Sequence, residues 1–169
     1  MSQMWLYVVI AAGVCGLAVV LAVRRSLLIV TVAGASMEPT YRDGDRLLVS
    51  RRRRPVVGAV VVLRQAALAG AAAAAAVHRN PYLVKRLVAL PGDAVPDAVL
   101  PALDRPAGTE VPEPLEAAAP APRAAALVPA GSMVVLGDSP HSVDSRAWGL
   151  LPLRHVVGVV VADLRTADR

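Results

Sequence analysis

A chain of 169 residues has room for one domain of ordinary size and a membrane anchor. Hydrophobic residues make up 56% of it, yet aromatics are 3% and Phe is absent, so the core must be built from Val, Leu and Ala, and Val-rich runs favour strands because β-branched side chains pack well on a pleated surface. The net charge of +5 suits an anionic surface, but aromatic residues do not interleave with the basic ones as on a nucleic-acid platform, so nucleic acid is excluded as the expected partner; the single cysteine, Cys15, cannot close an internal disulfide.

Met4 to Val23 carries no charged residue. About twenty helical residues extend about 30 Å, the thickness of a bilayer core. A cleavable leader would need positive charge ahead of the run, a shorter apolar stretch and a small-x-small cleavage site, and none is present. Residues 4–23 are therefore expected to be a retained transmembrane anchor with the lipid bilayer as its partner, and Cys15 within it is expected to be inert packing. Arg24 and Arg25 follow the run and no Lys or Arg precedes it. Taken alone, the positive-inside rule would place the rest of the chain in the cytoplasm.

Residues 27–165 are expected to form one mainly β domain. Leu27 to Val32, Arg46 to Ser50, Val56 to Leu63, Tyr82 to Leu90, Met133 to Leu136 and Val156 to Val161 read as strands, several of them closed by turn residues such as Pro91-Gly92-Asp93. No clear soluble helix appears. Two segments read as insertions. Ala66 to Ala76 is mostly alanine. Residues 94–129 are rich in Pro and Ala, and their composition predicts a small subdomain or long loop without a rich core of its own. Arg51 to Arg54 reads as a solvated basic turn, with anionic lipid headgroups as the functional alternative.

One lysine occurs in the chain, Lys85; the other 17 of the 18 basic residues are arginine. It lies in an otherwise apolar strand. Arginine does not lose its proton in a protein, whereas a buried lysine can, so a lone lysine between apolar residues is a candidate base. By two-residue alternation Leu83 and Leu87 share its strand face. Gly34-Ala35-Ser36-Met37-Glu38-Pro39-Thr40 sets a serine on a turn of small residues, where a nucleophile has access to free backbone N–H groups. Gly137 to Arg146 packs Asp138, Ser139, Ser142, Asp144, Ser145 and Arg146 into ten residues. That density suits a hydrogen-bonded scaffold around a site; the plainer alternative is a polar loop with an Asp144–Arg146 surface pair of little energetic value. His78, His141 and His155 follow no ligand spacing, so no metal site is expected. Only His141 lies near the proposed site, as an alternative base.

Together these motifs resemble the type I signal peptidases, the serine–lysine leader peptidases. Ser36-Met37-x-Pro39-Thr40 is similar to the nucleophile motif, Lys85-Arg86 with Pro91-Gly92-Asp93 to the lysine motif, and Gly137-Asp138 with Ser142-x-Asp144-Ser145-Arg146 to the last motif. The resemblance spans about Val30 to Val161. It implies a signal-peptidase-like β catalytic domain behind one N-terminal transmembrane helix, acting without a cofactor on exported preproteins or leader peptides. It implies Ser36 as nucleophile, Lys85 as general base, Ser142 as the residue orienting the amine, and Asp138, Asp144 and Arg146 as supports. Val32, Gly34, Ala35, Leu83 and Val84 would line the substrate strand. The Ser36 backbone N–H would hold the oxyanion. Some members add a hydroxyl two residues before the nucleophile, where this chain has Gly34. Ser139 replaces a common Asn, and Gly58-Ala59 stands in place of Gly-Asp. The implied location is the cell membrane, single-pass, with the catalytic domain outside the cytoplasm, against the sign of Arg24 and Arg25. A maturation peptidase dedicated to one substrate, or an inactive membrane-anchored homologue, would carry the same motifs. A self-cleaving repressor shares the dyad but would need a DNA-binding domain where the anchor lies.

Overall fold

The computed structural model describes residues 2–64, 81–104 and 126–164. Helix α1 (Ser2–Ser26) opens the chain. The most apolar 18 residues of its Gln3–Ser26 stretch have a mean hydropathy of 2.7, and none of those described is buried against the rest of the protein. By length and composition it is able to cross a membrane. It is apolar all round, the pattern of a helix whose surroundings are apolar on every side.

Among the described residues, seven strands follow as one antiparallel sheet: β1 (Leu27–Thr31), β2 (Arg46–Ser50), β3 (Val60–Arg64), β4 (Tyr82–Ala89), β5 (Ser132–Leu136), β6 (Leu151–Pro152) and β7 (Val156–Asp163). Their order across the sheet is β1-β2-β7-β3-β4-β5-β6. Register shifts at Leu48/Val49, Val62/Leu63 and Leu87/Ala89 bend the sheet into a half-barrel, since a bulge increases local twist. The expected Val56 to Leu63 strand begins late. Gly58 takes φ 85°, a left-handed conformation that turns the chain, and leaves Val56 and Val57 exposed ahead of β3.

Both faces of the central strands are covered. On one face Val61, Leu63, Leu87, Met133, Val135, Trp148 and Leu151 form a core. On the other, Val30, Val32, Met37, Leu47, Val49, Val60, Val62 and Val84 form a second. β3 is accordingly buried at four successive residues, Val60 to Leu63, the pattern of a strand covered on both sides. A third cluster joins Ala89, Val134 and Leu150 to Val95, Val99 and Val128. The described ends of the 94–129 segment are thus packed on the sheet, and Ala94 bridges Leu127. Two four-residue helices, α2 (Leu100–Leu103) and α3 (Ser145–Trp148), depart from the expectation of a helix-free domain. Such short helices carry no amphipathic period for the eye to find. The expected alanine-rich insertion, Ala66 to Ala76, and His78 lie outside the described residues.

Candidate active site

The turn bearing Ser36 is held from beneath by its neighbour. Met37 is fully buried in the core shared by Val32 and Val84. Burying such a side chain contributes about 1.5–3 kcal/mol, enough to fix the turn. Backbone bonds from Glu38 N to Ala35 O (3.2 Å) and from Tyr41 N to Met37 O (2.9 Å) close it. Ser36 itself is half-buried, while Gly34 and Ala35 are exposed. The Gly34 N–H donates to Asp43 Oδ1 at 2.7 Å, so that amide is occupied.

Lys85 projects from β4 onto the opposite face, beside Leu83 and Leu87, and is 3% exposed. Its Nζ donates to Ser142 Oγ at 2.7 Å. The Trp148 ring lies under the amine, 5.8 Å from Nζ to centroid. Burial lowers the Lys85 pKa from 10.5 to about 8; Asp144 opposes the shift and Arg146 adds to it. The Trp148 face also favours the ammonium, by about 0.5–2 kcal/mol for a cation over a ring. Desolvation is the larger effect, because removing an ammonium from water costs several kcal/mol. About half of the Lys85 amines are therefore neutral at pH 8, against about 0.3% for an ordinary lysine.

Ser36, Lys85 and Ser142 line one open cavity of about 400 Å³, with Leu83 and Trp148 on its apolar side. Ala33, Ala35, Ser139, His141 and Val143 complete it. Of the expected substrate-contacting residues, Ala35 and Leu83 reach this cavity. Val32 and Val84 are buried in the core behind the Ser36 turn, and their side chains act as packing there. Gly34 lies exposed at its edge in sequence, between Ala33 and Ala35.

Two ion pairs brace the cavity. Asp144 is fully buried. Its carboxylate accepts from Gly137 N (2.8 Å), Arg146 N (3.1 Å), Arg146 Nε (2.9 Å) and Arg146 Nη2 (2.6 Å). It also caps α3. This excludes the reading of Asp144–Arg146 as a surface pair. Burial pushes the Asp144 carboxyl upward, but the bonds from Arg146 and Gly137 outweigh it and hold the pKa below the usual range. Asp138 accepts a forked pair from Arg86, Nε at 2.8 Å and Nη2 at 2.6 Å, and a bond from Thr40 Oγ1 at 2.5 Å. Arg86 Nη1 reaches Gly58 O at 3.0 Å. One carboxylate thus ties the Ser36 turn to the lysine strand. The Arg86 bonds lower the Asp138 pKa.

Trp148 lines the cavity although the sequence reading did not single it out, and Gly137, placed there in the last motif, was given no role. A side-chain carbon at Gly137 would overlap Ser142 Oγ and come within 2.5 Å of the Ser36 carbonyl oxygen. Only glycine allows the Ser36 turn and the Ser142 loop to approach so closely. The signal available was a glycine directly before Asp138; for Trp148 it was that the other tryptophan, Trp5, lies in the apolar N-terminal run.

Arg146→Ala should lower stability by about 3 kcal/mol, because it leaves the Asp144 carboxylate buried without its cation. The Asp144 pKa is depressed in the folded state, so its contribution is present above the ordinary aspartate pKa and is lost as pH falls through the folded value. Urea unfolding at neutral pH measures the effect, and an unchanged midpoint would contradict this account of the pair.

Residues 2–164 match the family described as signal peptidase, peptidase S26. A crystal structure of a signal peptidase I from Enterococcus faecalis V583 is similar at 23% identity, over 64% of this chain and 98% of that one, with a TM-score of 0.34. No curated protein sequence matches the chain. With the family match running from the first turn of α1 to the end of β7, this chain belongs to the signal peptidase family, peptidase S26.

Proposed function

We propose that this protein is a membrane-anchored serine endopeptidase that removes leader peptides from exported proteins, with Ser36 as nucleophile and Lys85 as general base. The observation that carries the reading is Lys85. The chain's one lysine is buried in the cavity that Ser36 also lines, with its pKa lowered to about 8. A base is most effective when its pKa lies near the working pH, and an ordinary lysine is far above it.

The neutral Lys85 amine takes the Ser36 Oγ proton as the oxygen attacks the scissile carbonyl. No described residue accepts a hydrogen bond from the Ser36 backbone N–H, so it is available to the oxyanion. The Lys85 ammonium then protonates the leaving amine. Neutral again, it activates the water that hydrolyses the acyl ester on Ser36. Ser142 accepts one Nζ hydrogen and so orients the amine within the cavity. Asp138, Asp144 and Arg146 hold the walls. This is the serine–lysine form of nucleophile and base acting as a unit.

The substrate binds as an extended strand beside the segments that flank Ser36 and Lys85, β1 being an edge of the sheet. The cavity wall formed by Ala33 and Ala35 receives Ala at the first and third residues before the cut. α1 spans the bilayer, and the sheet lies on the outer side, where exported proteins emerge. Replacing either Ala of a leader-peptide substrate by Phe should slow cleavage by about 10²-fold or more, since a large ring beside Ala33 and Ala35 would hold the substrate strand away from Ser36. Equal rates for the two peptides would count against the binding mode. External protease on intact cells should remove the sheet domain; a domain cut only after permeabilisation would reverse the orientation.

A further inference from the structure

A second cavity, of about 470 Å³, lies away from the Ser36 site and is lined by Arg51, Arg64, Arg154, His155, Val156 and Val157. Its position follows from strand register. Leu27 pairs with Ser50, Ser50 with Val159, and Leu63 with Val156. The start of β1, the ends of β2 and β3 and the start of β7 therefore share one edge of the sheet. Arg51 follows β2, Arg64 ends β3 and Arg154 precedes β7, so three guanidinium groups distant in sequence converge there. The same edge is where α1 joins the domain: the Arg51 N–H donates to the carbonyl of Ser26, the last residue of α1, at 2.8 Å. Arg24 and Arg25 end that helix, Arg52 to Arg54 continue from Arg51, and the exposed Val56 and Val57 come next.

Among the described residues, no acidic side chain lines this cavity and no carboxylate pairs with Arg51, Arg64 or Arg154. Three like charges around one hollow repel one another, and an anion seated between them relieves that cost. Guanidinium forks match the oxygens of a phosphate in pairs, which a point-charge ammonium does not. Val156 and Val157 supply an apolar wall beside the charge. With α1 read as a membrane span, a hollow one hydrogen bond from its end would lie at the depth of lipid headgroups.

We infer that Arg51, Arg64 and Arg154 form a built site for the phosphate of an anionic phospholipid headgroup at the foot of α1. The inference rests on the reading of α1 as a membrane span. It does not depend on the peptidase chemistry.

The test uses the full chain in nanodiscs of phosphatidylcholine, with and without phosphatidylglycerol, and native mass spectrometry to read the lipid retained after release. Wild type should keep phosphatidylglycerol and shed phosphatidylcholine. Arg64→Ala with Arg154→Ala should weaken retention about tenfold or more, while Arg52→Ala with Arg53→Ala, two neighbours that do not line the cavity, should change it much less. Arg154→Gln alone, at an exposed position outside the strands, should give a several-fold loss and guards against misfolding of the double variant. Excess inorganic phosphate should not displace the lipid. Equal retention of both lipids overturns the site. Equal loss in the two double variants shows diffuse attraction instead. Displacement by free phosphate marks a soluble-anion site and overturns the lipid assignment. A chain that fails to enter nanodiscs overturns the span reading and the inference with it.

Discussion

Lys85→Arg should leave a folded protein that no longer cleaves a leader peptide, with kcat/KM lower by about 10⁴-fold or more, the scale seen when one member of a nucleophile–base unit is removed. The reason is protonation and not charge. Burial has brought the lysine to a pKa of about 8, so a large fraction of amines can accept a proton under working conditions. A guanidinium in the same place stays protonated at any working pH. Everywhere else this chain uses arginine for positive charge, so a merely electrostatic role for position 85 would tolerate the change.

The pH profile carries the same information. Only the neutral amine acts as base, so wild-type activity should rise with pH through about 8 and then level. Residual activity in Lys85→Arg should lack that inflection. Rates in detergent, with circular dichroism to establish folding, decide the matter. A folded Lys85→Arg protein with near-normal turnover would remove the lysine as base. His141, exposed on the wall of the same cavity, would then be the group to test.

The strands were legible because Val and Leu runs bounded by turn residues have few alternatives in a chain without Phe. β2 and β4 lie within a residue of their expected limits. Lys85 stood out as the chain's one lysine, set in an apolar strand, and the structure buries it there. Its partner Ser142 is 57 positions away, and no local pattern contains that distance; family resemblance supplied it. What stayed hidden depends on long-range contact. The burial of Asp144 cannot be read from a loop of charges, because the same residues would look alike on a surface. Trp148 meets Lys85 only once α3 folds back over β4. Val32 and Val84 are apolar residues beside the key positions, and alternation along a strand sends adjacent side chains to opposite faces. Both side chains are buried behind the Ser36 turn, and Val32 also lines a neighbouring cavity with Val30 and Ala33. The weak-core expectation for 94–129 followed composition, yet Val95, Val99 and Val128 find their core on the sheet and not within the segment.

Gly137 links these points to the mechanism. The Ser139 N–H donates to the Ser36 carbonyl at 3.2 Å, so the loop that carries Ser142 is fastened to the Ser36 turn itself. The lysine amine is placed by a serine whose own loop is fastened to the Ser36 turn, and the two ion pairs fix the rest. Such a closed arrangement gives the proposed reaction its geometry before substrate arrives, the condition under which an active site lowers a barrier most.

Ser36→Ala removes one oxygen and should remove the reaction. Alanine fits the half-buried turn without steric change, Met37 remains as its anchor, and the Lys85–Ser142 bond is untouched. Folding should therefore be preserved, and the variant isolates the nucleophile from every structural role. Loss of about 10⁴-fold or more is expected, since base and oxyanion donor without a nucleophile retain only what they contribute to direct attack by water. The measurement is mass spectrometry of a leader-peptide substrate incubated with wild type and with Ser36→Ala under identical conditions. Wild type should release the leader after a small residue, and the Ser36→Ala sample should contain intact substrate alone. The same cleavage product at a comparable rate from Ser36→Ala would contradict the assignment of Ser36 as the nucleophile.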